Sequence, residues 1–256
     1  MRERNVDERP VSESGGGISA RPMLAQDREG FIHRHGLWTE AHYAAAGQMR
    51  RVVDELGIDM VRFSFVDQHG ILRGKTIARG GIAAAMRSGV TAPSSLLLKD
   101  TSGQSVFSVF SAETGVGVAG FSGAGDIVLV PDPTTFRVLP WAPGTAWILC
   151  DLHFPDGSPV PFCTRTILRN ELTTLAARGY GMTVGAELEF HVFRADATEL
   201  GAEHIGTPGR PGAASLTAPT TRGSQLLLEE GLDRMQPLVD ALYRGLTLLD
   251  LPLRSI

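Results

Sequence analysis

The chain has 256 residues, of which 43% are hydrophobic and 20% charged, and its net charge is −4. These values are typical of a globular protein with one large or two ordinary domains. A negative net charge is unlike that of a nucleic-acid binder, so we do not expect nucleic acid as a partner. No apolar run approaches the ~20 residues of a membrane span, so we do not expect a membrane partner.

The N-terminal residues 1–36 carry charges of both signs, a glycine run at 15–17 and no apolar stretch able to act as a signal peptide. They are predicted to form a disordered tail. The two cysteines, Cys150 and Cys163, lack Cys-x-x-Cys spacing. This favours free thiols in a reducing compartment, and therefore a cytoplasmic protein, over a disulfide or a zinc site.

The first folded elements are predicted to be a helix and a β-hairpin. Thr39 is a suitable helix cap, apolar residues then recur at helical spacing, and Gly57 can end the helix. Residues 58–66 and 71–78 have strand character, and Gly70 between them supplies the positive φ of a tight turn. A short helix is expected at 82–87.

The next region, to residue 150, contains a glycine-rich string and two strands. Residues 115–120 match G-x-G-x-x-G, but no amphipathic helix follows the third glycine, which argues against a dinucleotide site. Residues 126–130 form a strand candidate, and 145–151 read as a strand buried on both faces. We place a domain boundary near residue 150.

The second region begins with a helix at 164–178, whose Leu168, Leu172 and Leu175 are predicted to face inward. A strand at 182–193 follows, and then an irregular loop at 195–223. Apolar residues recur every three or four positions from 228 to 249 and indicate a core-facing helix, kinked or divided at Pro237.

The strand at 182–193 carries the strongest functional signal. Successive side chains of a strand alternate between its two faces, so Glu187 and Glu189 share one face, about 7 Å apart at roughly 3.3 Å per residue. Two such carboxylates are suited to two neighbouring hard cations, or to a metal and a substrate. A solvated strand face explains the same spacing, so the spacing alone leaves both interpretations open.

Several segments, in order, resemble the glutamine synthetase family from about residue 40 to the end. The hairpin VRFSFVD at 61–67, with Gly70 and the RGK at 73–75, is similar to the opening of the family's N-terminal β-grasp domain. The DIVLVPDP at 126–133 is similar to the segment that closes that domain. The GAELEF at 185–190 is the most specific match, to a strand whose two glutamates bind separate divalent metals.

The resemblance implies an α+β protein. A β-grasp domain at 37–150 would be followed by an incomplete glutamine synthetase-type catalytic α/β domain at 151–256. The implied function is an ATP-dependent ligase that joins glutamate to ammonia or an amine through a γ-glutamyl phosphate, with Mg²⁺ or Mn²⁺ as cofactors.

The resemblance also assigns site residues. Glu189 would hold the metal nearer glutamate, and Glu187 the metal nearer the ATP phosphates. Asp100 resembles an aspartate that reaches a neighbouring subunit's site in a homo-oligomer, where it binds and helps to deprotonate ammonium. An ordinary turn aspartate is the alternative for Asp100, and a surface or packed residue is the default for His191.

The sequence departs from the family pattern at two places. Thr164 stands where the family commonly has proline at the start of a helix, and threonine can cap a helix. The family's further metal, glutamate and ATP ligands would lie beyond Ile256, so we expect the 256 residues alone to be inactive. The alternatives are a noncatalytic relative with an assembly role and a free-standing β-grasp binding module, which leaves the paired glutamates unexplained.

Overall fold

The computed structural model describes residues 28–108, 117–121, 125–195, 201–207, 210–223 and 227–256. Its helices are α1 (Phe31–Arg34), α2 (Glu40–Glu55), α3 (Arg79–Ser88), α4 (Thr164–Ala177) and α5 (Glu229–Leu248). Its strands are β1 (Met60–Val66), β2 (Leu72–Ala78), β3 (Val90–Pro93), β4 (Asp126–Pro131), β5 (Arg137–Val138), β6 (Thr145–His153), β7 (Phe193–Ala195) and β8 (Thr217–Pro219). In this described part, no helix combines the length and the apolar character that crossing a membrane requires.

A mixed sheet in the order β2-β1-β6-β4-β3 forms the centre of the fold, with β5 beside β6. β1 and β6 run parallel, and the other neighbours in this sheet are antiparallel. Strands β7 and β8 form a separate two-stranded antiparallel pair. The chain is therefore a mixed α/β protein.

The predicted helix and hairpin are confirmed at the start of this sheet. Thr39 precedes α2, and its backbone N–H donates a 3.1 Å hydrogen bond to Nδ1 of His42. Gly57 follows the helix with a φ of 62°, and Gly70 turns the β1–β2 hairpin with a φ of 78°. Both glycines hold positive φ values that side chains disfavour, which is why local signals located these boundaries well.

The main core lies between the sheet and helices α2 and α3. Alternate residues of the central strands point into it, as expected for strands with one face on the core. Its largest fully buried members are Phe63, Phe65, Phe121, Ile58, Ile127, Leu129, Ile148, Leu152, Val61 and Val160.

The second face of β4 is covered by residues that the sequence assigns to the tail. Phe31 and Ile32 of α1 are buried and pack against Val128 and Val130. Trp38 adds a hydrogen bond from Nε1 to the Pro131 carbonyl at 2.8 Å. The prediction of a disordered tail is therefore wrong for 28–36, because α1 supplies apolar surface to β4, and its remaining part, 1–27, lies outside the described residues.

The predicted boundary at residue 150 falls inside β6. Strand β6 continues to His153, which pairs with Val128 of β4. Val160 and Cys163, after the strand, also belong to the main core. The main core therefore continues past residue 150 to Cys163, just before α4.

Helix α4 has the predicted length, but its predicted inner face is wrong. Leu168 and Leu172 are 55% and 39% exposed, and no residue of the helix is buried. The arginine side of α4 faces the sheet instead, where Arg165 and Arg169 meet Asp151. Thr164 is the first helical residue after the N-cap Cys163, so it does not cap the helix.

The predicted strand at 182–193 is also wrong, apart from its last residue. No strand is assigned between 181 and 192, and the hydrogen-bonded strand β7 begins at Phe193. Leu188, predicted to face the core, is 82% exposed. A strand needs a partner for its backbone N–H and C=O groups, and the alternation of side chains does not provide one.

The predicted loop at 195–223 and the helix after it differ from expectation in detail. The described part of the loop contains β8, and α5 runs through Pro237 as a single helix. Within α5 only Gly231 is buried, so the predicted core role is confirmed for Leu249, just after the helix, which is 5% exposed, but not for the stripe within the helix. The C-terminal end of α5 is tied to β5, since Arg137 Nε donates to the Leu249 carbonyl at 3.1 Å.

Candidate functional site

Asp100 lies at an exposed turn that its own carboxylate organises. Its Oδ1 accepts hydrogen bonds from Ser102 N–H at 2.9 Å, Ser102 Oγ–H at 2.7 Å and Gln104 N–H at 2.9 Å. Gly103 in this turn has a φ of 83°. These bonds account for an aspartate at this position on structural grounds, as the turn interpretation expects.

The same hydrogen bonds lower the pKa of Asp100 below its ordinary value. The Ser102 hydroxyl makes the largest contribution, followed by the Gln104 backbone N–H. All three bonds reach Oδ1, and among the described residues Oδ2 has no hydrogen-bond donor. The turn therefore holds the carboxylate by one of its two oxygens.

A second turn, at residues 67–70 between β1 and β2, contacts the Asp100 segment. Gln68 Nε2 donates to the carbonyls of Leu97 and Lys99 at 2.8 and 3.3 Å. His69 Nε2 lies 2.8 Å from the Lys99 carbonyl. Sequence reasoning missed this pairing, since the two turns are about 30 residues apart and no local pattern joins them.

Glu187 and Glu189 lie in the exposed stretch that precedes β7. Carboxylates are the oxygen ligands that Mg²⁺ and Mn²⁺ prefer, so the donor chemistry fits. In the described ranges, however, no group of three or more His, Cys, Asp or Glu side chains is arranged to hold a metal ion. Among the described residues these glutamates are not brought together with Asp100 or with further ligands. The ring of His191 lies beside that of Phe193, with the ring centroids 6.4 Å apart.

A network of charged residues that the sequence did not reveal joins α2, β6 and α4. Arg165 donates to Asp132 at 2.6 Å and to Asp151 at 3.2 Å, and Arg169 donates to both Asp151 oxygens. His42 of α2 lies 3.7 Å from Asp132. The sequence signal that could have revealed this network is the pair Arg165 and Arg169, since residues four apart share a helix face.

A pocket of about 240 Å³ opens beside this network. His153 lines this pocket, and its Nδ1 atom is buried without a hydrogen-bond partner among the described residues. Burial lowers the pKa of His153 and outweighs the nearby charge of Asp151, which raises it. The lining is Leu37, Trp38, Thr39, His42, Val130, Pro131, Asp132, Asp151, His153 and Arg169.

A larger cleft of about 360 Å³ lies between α2 and α3. Its floor is apolar, with Met49, Val53 and Ile82, and arginines such as Arg79 and Arg87 stand at its rim. The floor residues belong to the main core, so the cleft is in part the seam between two packed helices.

Two minor sequence features have structural explanations. Cys150 and Cys163 are free, as predicted, and both are buried, which raises the pKa of the Cys150 thiol. Of the glycine string, residues 115 and 116 lie outside the described ranges. Gly120 packs against the Phe154 ring, where a Cβ atom would collide with its carbons.

Comparison with known proteins identifies the family to which the chain is related. No protein-family model matches it. Gamma-glutamylanilide synthase from Acinetobacter sp. is 37% identical over 229 residues, which are 88% of this chain and 46% of that protein. Gamma-glutamylethanolamide synthetase GlnA4 from Streptomyces coelicolor is 40% identical over 139 residues, 54% of this chain and 29% of that protein. The chain belongs to the glutamine synthetase family.

Within the glutamine synthetase family, the glutamine synthetase of Methanosarcina mazei is 32% identical over 150 residues, 57% of this chain and 29% of that protein. Among solved structures, apo GmaS without ligand has a TM-score of 0.48 and 19% identity, and the match covers 77% of this chain and 38% of that one. The chain thus spans about half the length, or less, of the relatives it matches.

Proposed function

We propose that the complete protein is an ATP-dependent ligase that joins the γ-carboxylate of glutamate to ammonia or an amine. The similarity to gamma-glutamylanilide synthase, which extends over 229 residues, carries this proposal. Two of the relatives are named for amides of amines larger than ammonia. An organic amine is therefore the first acceptor to test.

The proposed chemistry has two steps. A γ-carboxylate oxygen of glutamate attacks the γ-phosphorus of ATP, which forms γ-glutamyl phosphate and releases ADP. The amine nitrogen then attacks the γ-carbonyl carbon, and the C–O bond to phosphate breaks to release inorganic phosphate. Ammonia or an alkylamine such as ethanolamine arrives as an ammonium ion and must lose a proton before it can attack, whereas aniline is already neutral near pH 7.

Asp100 is the residue that we propose for binding the ammonium and helping to deprotonate it. Its Oδ1 is held by hydrogen bonds from Ser102 and Gln104, and its Oδ2 is available to a cation. A lowered pKa keeps the carboxylate ionised, which strengthens its attraction for a cation but makes it a weaker base. Binding of the cation is therefore the larger part of the proposed role.

We propose Glu187 and Glu189 as ligands of Mg²⁺ or Mn²⁺ ions, Glu189 nearer glutamate and Glu187 nearer ATP. When bound, these ions would neutralise charge on the phosphate oxygens. The proposal requires further oxygen ligands besides these two glutamates, because two carboxylates supply fewer than the six or so oxygens that such ions prefer.

We also propose a two-domain arrangement in a cytoplasmic homo-oligomer. A β-grasp domain, extended from the predicted 37–150 to about residue 163, would place Asp100 in a neighbouring subunit's site. The mixed sheet supports the first domain, and the Asp100 turn lines neither of the two pockets described above, which fits a site completed by a neighbouring subunit. Residues 164–256 would then begin the catalytic domain.

A comparison of two proteins tests the function. The assay measures glutamate-dependent phosphate release from ATP, with ammonia, ethanolamine and aniline as acceptors. It compares residues 1–256 with a protein extended to the length of the relatives. We expect turnover with at least one acceptor from the extended protein, and none from residues 1–256. A folded, ATP-binding extended protein that releases no phosphate with any acceptor would favour the noncatalytic assembly role.

A further inference from the structure

The Asp100 turn is attached to the β1–β2 turn by side chains of the latter. Gln68 and His69 both reach the Lys99 carbonyl, one residue before Asp100, at 3.3 and 2.8 Å. Gln68 also reaches Leu97. Backbone carbonyls only accept hydrogen bonds, so the His69 Nε2 must carry a proton, in the neutral ring as well as in the charged one.

The β1–β2 turn is itself rigidly anchored at Asp67, whose side chain is fully buried. Asp67 accepts hydrogen bonds from the backbone N–H groups of His69 and Ile71, both at 2.9 Å, and from Arg73 Nε at 2.6 Å. Burial raises the pKa of this carboxyl, but these hydrogen bonds outweigh burial and lower the pKa overall. Gln68 and His69 thus extend from a fixed point.

The Asp100 segment has contacts on its other side as well. Lys99 and Ser105 form an isolated β-bridge, and Lys99 Nζ donates to Ser105 Oγ at 2.7 Å. The backbone N–H of Asp100 donates to the Gln104 carbonyl at 2.9 Å. These local contacts give the turn its shape, but only Gln68 and His69 connect residues 97–99 to the β1–β2 turn by side-chain hydrogen bonds among the described residues.

We propose that Gln68 and His69 are positioning residues, which hold the Lys99 carbonyl and so fix the place and orientation of the Asp100 carboxylate. The inference rests on the proposed function, in which that carboxylate binds the amine as ammonium. A catalytic carboxylate on an exposed turn needs such support, because a displacement of about 1 Å can reduce rates by roughly 100-fold. Neither residue touches substrate in this proposal; both act through Asp100.

The test compares variants that remove the donors with one that replaces a donor. His69→Phe keeps a planar ring without the Nε2–H, and Gln68→Ala removes the amide. His69→Gln restores an N–H donor at a similar reach, and Gln48→Ala, on the exposed face of α2, serves as the control. Hydrogen exchange of residues 99–105 in the 256-residue chain reports how readily the turn opens. KM for the amine in the extended protein reports the use of the turn in amine binding.

The expected result is faster exchange of residues 99–105 in His69→Phe and Gln68→Ala, together with an increase of about 10- to 100-fold in KM for the amine. KM for ATP should stay within about twofold, since the turn is not proposed to bind nucleotide. His69→Gln should restore both readouts toward the wild-type values, and Gln48→Ala should change neither.

Two other outcomes separate this inference from the function on which it rests. Unchanged exchange in both donor-removing variants would overturn the positioning role, whatever the kinetics show. Faster exchange with an unchanged KM for the amine would support the positioning role and overturn the proposed role of Asp100 in amine binding.

Discussion

Arg73 Nε lies 2.6 Å from Oδ2 of Asp67, and this ion pair connects the end of β1 to the start of β2 with the carboxylate fully buried. Arg73 is itself only 23% exposed, so solvent does not substitute for it easily. The pair therefore closes the hairpin at its turn, and the stability of the hairpin depends on a charge that water cannot reach.

Replacement of Asp67 by Ala should lower the free energy of unfolding by about 3 kcal/mol, since two backbone N–H groups and a guanidinium lose their acceptor together. Urea denaturation followed by tryptophan fluorescence measures this change. The control is Asp54→Ala, which removes an exposed pair with Arg79 and should cost less than about 1 kcal/mol. Equal losses in the two variants would contradict the prediction.

His153 should make the protein sensitive to mild acid. Its pKa lies below the ordinary value of 6.5, chiefly because of burial, so the folded state favours the neutral ring. The stability that the neutral His153 ring contributes is fully present above pH 6.5. It is lost as the pH falls from there toward the lowered pKa of the folded state. Asp151, Arg169 and His35 face this ring and modify the shift.

The measurement is the free energy of unfolding of wild type and His153→Gln across this pH range. Gln cannot be protonated, so the variant should show a shallower loss of stability on acidification. His191→Gln, at an exposed position, should retain the wild-type slope. A slope in His153→Gln as steep as that of wild type would assign the acid sensitivity to other groups.

Arg165 should hold α4 against the sheet. Arg165→Met removes the donor shared by Asp132 and Asp151 while it keeps most of the side-chain volume. We expect a loss of about 1–3 kcal/mol and faster amide exchange in α4, because two largely buried carboxylates lose a partner. Arg234→Met removes an exposed i,i+4 pair on α5 and should leave α4 exchange unchanged.

Glu187→Gln and Glu189→Gln should weaken Mn²⁺ binding in the extended protein and abolish ligation, with little effect on folding. The amide keeps the size of the side chain but removes the negative charge that a divalent ion requires. Calorimetric titration with Mn²⁺ measures binding, and Glu203→Gln, at another exposed position, is the control. Wild-type titrations from both variants would show that these glutamates are not the ligands.

Shared active sites predict complementation between inactive subunits. Asp100→Ala and Glu189→Gln should each inactivate the extended protein. Mixed oligomers should regain activity, because some sites would combine an intact Asp100 from one subunit with an intact Glu189 from its neighbour. Native mass spectrometry confirms the mixing. Mixed oligomers no more active than either parent would argue against sites built from two subunits.

The sequence predicted well those parts of the fold that local chemistry determines. The limits of α2 and the β1–β2 turn follow from Thr39, Gly57 and Gly70, each of which acts within a few residues of its own position. Strand β6 was located for a similar reason, since a run of apolar residues favours a buried strand wherever its neighbours lie.

The parts that failed depend on partners distant in sequence. The alternation at 182–193 determines which side chains would share a face, but a strand also needs a neighbouring backbone. The leucines of α4 signal an apolar face, whereas the ion pairs of Arg165 decide which side of the helix meets the sheet. The turn at Asp100 was identified by resemblance, and its support by Gln68 and His69 is visible only in three dimensions.

The packing of α1 has a practical consequence for any shortened version of this protein. A chain trimmed at the predicted end of the tail would begin at Leu37 and would lack Phe31 and Ile32. Val128 and Val130 would then face water on one side of a strand whose other side is core. Trimming at that position would thus produce an aggregation-prone, poorly soluble protein. A shortened chain should therefore begin no later than Arg28.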